Sequence, residues 1–222
     1  MLQATHRFHY SVVRVWNRAG GVGGILFVVS LLLVVAVGPL TNPTPEPAFN
    51  APSSAFLAFA RSADSRLDLL ELIGIAGMFG FVLFAAVLCA RFQAAERAWT
   101  APVILVVLAT AVLSTLWLAE FGIRFAGDFR RASLDATSAS LLFGLANGIF
   151  VVSWAAIAGF LAAAGIAALH YRSMPRWLAW SAPVIGTALL LTVAVPLTFL
   201  WFVPYFLFYM WVLAVSVLLL RS

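Results

Sequence analysis

The chain has no lysine: all thirteen of its basic residues are arginine. A Schiff base to retinal or pyridoxal needs a lysine amine, so opsin-like and pyridoxal chemistry are excluded. Cysteine is almost as scarce. Cys89 is the only one, which rules out an intramolecular disulfide, a CxxC pair and a cysteine-built cluster. Its place near the end of an apolar segment reads as a small buried hydrophobe. The three histidines, His6, His9 and His170, all lie away from mid-membrane positions, so a haem held between two buried imidazoles is not supported. Charge is the last shortage: 9% of residues are charged, against roughly 25% in a soluble domain.

Hydrocarbon fills the space instead, with 64% hydrophobic residues and a mean hydropathy of +1.06. Apolar stretches run at about 22–40, 67–90, 101–121, 137–169, 178–197 and 199–220. A bilayer core about 30 Å thick takes roughly 20 apolar residues per helical crossing. Lipid offers no partner to an unpaired backbone group, so each stretch must close its own hydrogen bonds as a helix. The expectation is an all-α polytopic membrane protein. A bundle of six transmembrane helices (22–222) follows an amphipathic cytoplasmic segment (1–21), and 222 residues leave no room for a further soluble domain.

In the first segment Phe8, Val12, Val15 and Trp16 share one helical face, and Arg7, Arg14 and Arg18 share another. Such a helix can lie in the headgroup plane with its arginines against anionic lipid, or serve as a polar lead-in to the first crossing. Gly20, Gly21, Gly23 and Gly24 do not match GxGxxG and follow no strand, so no nucleotide site is read there. The proline-rich TNPTPEPAFNAPSS that follows the first crossing cannot be regular helix. From Ser53 a helical pattern resumes through Phe56, Phe59, Ala63, Leu67 and Leu70.

Arginine placement sets the orientation. With the N-terminus inside, Arg7, Arg14, Arg18, Arg91, Arg97, Arg172, Arg176 and Arg221 are cytoplasmic, and Arg61, Arg66, Arg124, Arg130 and Arg131 are outside. Both termini then face the cytoplasm. Trp99, Tyr171, Trp177 and Trp180 would form the inner aromatic belt, and Trp201, Tyr205 and Tyr209 the outer one.

Ionisable residues inside membrane segments are costly and point to function. Arg61, Asp64, Asp68 and Glu71 share one helical face; Glu120, Arg124, Asp128, Arg131 and Asp135 share another. Both stripes fall at the outer leaflet, and Asn147 in the fourth crossing reaches the same layer. The candidate cluster is therefore Asp68, Glu71, Glu120, Arg124, Asp128 and Asn147. It is open to two readings: a salt-bridge network that closes the end of the bundle, or the lining of a cavity for a ligand, a lipid headgroup or a proton. Glu71 is the deepest acid and the best single candidate for a proton carrier or general acid.

Gly144 and Gly148, then Ala155, Gly159 and Ala163, repeat small residues every four positions. Such spacing lets helices approach closely, which places the fourth crossing at the bundle centre; a homodimer contact is the alternative. The crossings hold no nucleophile–base pair, metal-ligand spacing, phosphate loop or DDxxD motif. No basic patch for nucleic acid appears, no cofactor is implied, and no internal repeat is visible.

At YRSMPRWLAWSAPVIGTALLL (171–191) and FARSADSRLDLLELIG (59–74) the chain resembles a group of uncharacterised six-helix integral membrane proteins common in high-GC actinobacteria, a domain of unknown function. The resemblance implies a six-helix bundle in the bacterial plasma membrane and carries over no site residues. Three functions remain open. The first is a non-enzymatic accessory component that binds lipid, another hydrophobic ligand or a membrane-protein partner. The second is a small transporter or permease-like subunit, which needs a polar mid-membrane path where the last two crossings offer only Thr187, Thr192, Thr198 and Ser216. The third is an intramembrane enzyme using Glu71 or Asp68 on a prenyl or lipid substrate, which needs an enclosed cavity with Glu71 at its wall and without Arg124 as its cap.

Overall fold

The computed structural model describes residues 2–222 except 42–43, 45, 63–64 and 97–99, and leaves the side chains of 2–13, 38–41, 65–68 and 95–96 outside the description. The described backbone is helical throughout, with no strand: α1 (Leu2–Thr41), α2 (Ser53–Ser62), α3 (Ser65–Glu96), α4 (Ala101–Phe129), α5 (Ala136–Tyr171), α6 (Arg176–Thr192) and α7 (Phe202–Arg221), the last entered through a 3-10 turn at Phe199–Trp201. Among the described residues, five stretches are long and apolar enough to cross a membrane: Arg14–Val37, Leu69–Ala94, Ala101–Phe129, Ala136–Tyr171 and Phe199–Arg221. The chain is a multi-pass membrane protein.

Two boundaries differ from the sequence reading. The 1–21 segment and the first crossing form one unbroken helix, α1. The fifth apolar stretch, read as 178–197, is helical only to Thr192, and turns carry the chain from there to Thr198. Pro196 lacks the N–H that a continuing helix would need.

The helices alternate in direction. At one end Ser222 Oγ accepts from Asn17 Nδ2 at 3.2 Å and from Arg91 Nη1 at 3.1 Å. The Thr100 and Tyr171 hydroxyls hydrogen-bond each other there, and Tyr171 stacks on Phe92. The opposite end holds the 44–52 loop, α2 and the start of α5.

In lipid the tails outside are as apolar as the core, so close packing rather than water exclusion drives helix association. The glycines of α1 meet this demand. A Cβ on Gly23 would stand 2.6 Å from the carbonyl oxygen of Gly80, and one on Gly80 would stand 2.5 Å from that of Gly23, so α1 and α3 touch backbone to backbone. Gly165 of α5 lies against the Ala179 carbonyl of α6, and Gly186 of α6 against the Ala158 carbonyl of α5. In mid-bundle, buried Phe27, Phe81, Trp117, Phe160 and Phe208 interlock, with Phe27 and Phe81 centred 4.9 Å apart.

The GxxxG stripe does something else. The fourth crossing does lie within the bundle, through Trp154, Ile157, Phe160, Leu161 and Ala164. Gly144, Gly148 and Gly159, however, sit on its opposite face with nothing within 4 Å of an added Cβ. The packed face has small residues of its own, Ala146, Ala163, Ala164, Ala167 and Ala168, set between Trp154, Phe160 and Leu161. Of the predicted stripe, Ala163 is buried there and the glycines look out.

α5 has 36 residues, about 54 Å at 1.5 Å per residue, far beyond a bilayer core. Its first turns carry Ala139 and Phe143 into a second small core with Phe56, Ala60 and Leu134. Arg61 Nη2 donates to Leu134 O at 3.3 Å and ties the end of α2 to the segment before α5. Asp135 caps α5 by accepting from Ser138 N at 2.7 Å. This extra length builds the lobe that holds the site.

Candidate functional site

Arg124 organises the far end of the bundle. Its Nε donates to Glu120 Oε1 at 3.2 Å, its Nη1 to Glu46 Oε1 at 2.9 Å and its Nη2 to Asn147 Oδ1 at 3.3 Å. The first partner comes from the preceding turn of α4, the second from the proline-rich loop and the third from α5. The Arg124 side chain is 19% exposed, Glu120 10% and Glu46 48%. Burying charges is costly unless they are paired and hydrogen-bonded, and here each guanidinium nitrogen finds an acceptor. Glu71, on α3, lies within electrostatic reach of the same guanidinium.

These groups line a cavity of about 430 Å³. Glu46, Glu71, Glu120, Arg124, Asp128 and Asn147 all contribute to its wall, and the rest is apolar and largely aromatic. Trp117 and Tyr209 stand at its inner side beside Phe27 and Phe208. Phe150, Trp201 and Tyr205 form one flank and pack edge to face, with Phe150 and Tyr205 centred 5.4 Å apart. Phe59 and Phe143, in T-shaped contact, close the outer side. Leu32 and Val35 of α1 and Phe206 of α7 line the cavity and are also exposed on the bundle surface, so the cavity reaches the surface between α1 and α7.

Five of the six sequence candidates meet here: Glu71, Glu120, Arg124, Asp128 and Asn147. The side chain of Asp68 lies outside the described residues, as does that of Arg66. Arg131 does not join the cavity wall; with Asp128 it borders a smaller neighbouring recess. The sequence reading missed Glu46, whose only signal was an acid between two prolines in a loop leading to this end. It also misplaced two tyrosines. Tyr209 is buried, and Tyr205 lines the cavity beside it rather than joining a lipid-facing belt. Val203, Phe206 and Leu207 are the exposed residues of that turn of α7, which leaves positions 205 and 209 on the inward face.

Of the buried hydroxyls below the cavity, that of Ser114 has no partner among the described residues and three others are satisfied locally. Thr110, Ser153 and Ser216 each donate to a carbonyl one turn earlier on their own helix. Among the described residues no group of three His, Cys, Asp or Glu is placed to hold a metal ion. Asn147 is 5% exposed, and its Nδ2 has no acceptor among the described residues. Comparison with protein-family models, curated proteins and solved structures finds no match.

Proposed function

We propose that the protein is a non-enzymatic membrane component that takes a hydrophobic, polar-headed molecule into the cavity at its outer end. The observation that carries this reading is the 430 Å³ apolar and aromatic chamber with a few convergent polar groups. Small-molecule sites have that size range, about 300–1,000 Å³, and that make-up. We place it in the bacterial plasma membrane as a six-crossing bundle with both termini cytoplasmic. In this arrangement α6 is the short fifth crossing, which brings the total to six, and it is held to α7 by Trp211 Nε1 donating to Leu178 O at 2.9 Å. The contact between Asn17 and Ser222 supports an even number of crossings. The resemblance to six-helix membrane proteins of high-GC actinobacteria belongs to the same proposal.

A transporter needs a polar route onward from the cavity. Phe27, Phe81, Trp117 and Phe208 stand below it, so the geometry favours binding over passage. The test is native mass spectrometry of protein released gently from its own membrane, alongside a Val34→Trp variant that fills the chamber from α1. The wild type should carry a discrete adduct that the folded variant lacks. Wild type and variant carrying only the same bulk lipid would end the reading.

A further inference from the structure

We propose that the cavity selects a lipophilic amine or quaternary ammonium: a molecule with a positively charged nitrogen that sits among the carboxylates and rings, its hydrocarbon part leaving between α1 and α7. This rests on the reading of the cavity as a hydrophobic-ligand site and adds the chemistry of the head.

Charge is the first argument. Among the described residues the wall carries one guanidinium, Arg124, and four carboxylates, those of Glu46, Glu71, Glu120 and Asp128. Setting Asp128 against Arg131, its neighbour in the adjoining recess, still leaves three acids facing one base. An anionic headgroup would enter a field of its own sign in a setting that screens charge poorly. Three of the five N–H groups of Arg124 already donate to protein acceptors, and two of those acceptors are carboxylates that offset its charge towards an incoming anion.

The aromatic wall is the second argument. Trp117, Phe150, Trp201, Tyr205 and Tyr209 ring the same chamber. Aromatic faces attract cations, and cages of them are the usual means of holding alkylammonium groups. An apolar wall alone would suit any hydrocarbon; rings together with surplus carboxylates suit a cation.

Size and access complete the case. A 430 Å³ chamber accepts a head and its attached rings or a short chain, not a whole two-chain lipid. The exposed lining residues Leu32, Val35 and Phe206 give the remainder an exit into the bilayer. A hydroxyl or carbonyl oxygen beside the nitrogen would give Asn147 Nδ2 its acceptor, and a buried donor left unmet is costly.

The experiment measures binding of three aryl probes, over empty discs, to full-length protein in phosphatidylcholine nanodiscs at pH 7. The probes are tetraphenylphosphonium, its anionic counterpart tetraphenylborate, and uncharged triphenylmethanol. The cation should bind at least tenfold more tightly than either of the others. Glu46→Gln, on a half-exposed loop where it leaves the Arg124–Glu120 pair intact, should weaken the cation at least threefold and leave the other probes unchanged. Val34→Trp should abolish binding of the cation. If the neutral or anionic probe matches the cation and is lost in the Val34→Trp variant, the cavity stands and its selectivity for cations is overturned. If no probe binds, or if binding survives Val34→Trp, the cavity reading itself falls.

Discussion

Glu46 meets Arg124 at 2.9 Å across 78 positions of sequence, and this contact fastens the proline-rich loop to the middle of the polar cluster. On the other side of the guanidinium is Glu120, which is far less exposed. The two pairs therefore differ in weight. A half-exposed pair contributes roughly 0–1 kcal/mol, whereas removing one partner of a buried pair costs about 3–5 kcal/mol because the other charge is stranded. Arg124→Met is expected to destabilise the protein by that larger amount, and Glu46→Gln by less than about 1 kcal/mol. Adding Glu120→Met to Arg124→Met should restore more than half of the loss. Denaturant melts in detergent would measure all four proteins; an Arg124→Met variant as stable as wild type would show the pair to be idle.

Glycine substitutions should separate the packed helix seam from the open stripe. Gly80→Ala places a methyl against the Gly23 carbonyl and should cost about 1–3 kcal/mol, the usual range for overpacking. Gly148→Ala meets nothing within 4 Å and gains helix propensity of roughly 0.5–1 kcal/mol. Opposite shifts in melting temperature are expected, and equal shifts would contradict the assignment of the two faces.

Arg172 ends α5 at φ 51, ψ 35, the left-handed region. A side chain there costs roughly 1–2 kcal/mol that glycine avoids. Arg172→Gly should therefore raise the melting temperature although it removes a large residue. A fall would mean that the arginine side chain contributes more than the backbone strain takes away.

Asp135 supplies the one pH dependence to expect outside the membrane segments. The N–H of Ser138 holds its carboxyl below the usual carboxylate range. A depressed folded value means the cap stabilises the protein above the unfolded pKa, about 3.9 for aspartate, and that this is lost as pH falls through the folded value. Asp135→Asn retains a capping oxygen and should lose this part of the acid sensitivity. Asp135→Ala should melt below wild type at pH 7, with the gap closing in acid; a gap that persists there would exclude a charge-dependent cap.

How much of this could be read beforehand follows from the range of the interactions involved. Long apolar runs imply helices whatever their neighbours, because lipid cannot satisfy a free backbone group. Helical spacing likewise grouped Glu120, Arg124 and Asp128 on one face before any fold was known. Spacing within a helix could not reveal what stood opposite. Glu46 joined the cluster only through the return of a loop, and the aromatic wall came from α2, α4, α5, α7 and the turn before α7. Gly144 and Gly148 read as an interface because their motif is local, yet the contact lies on the other face of the same helix.

Composition and periodicity thus determined that the chain enters the membrane as helices and that its charges collect at the helix ends, since both follow from transfer between water and hydrocarbon residue by residue. Tertiary structure alone decided that the charges pair around Arg124 and at the same time line a chamber. That outcome depends on how closely each pair of helices can approach, and the approach is set by atoms from distant parts of the chain meeting face to face, as Gly23 and Gly80 do.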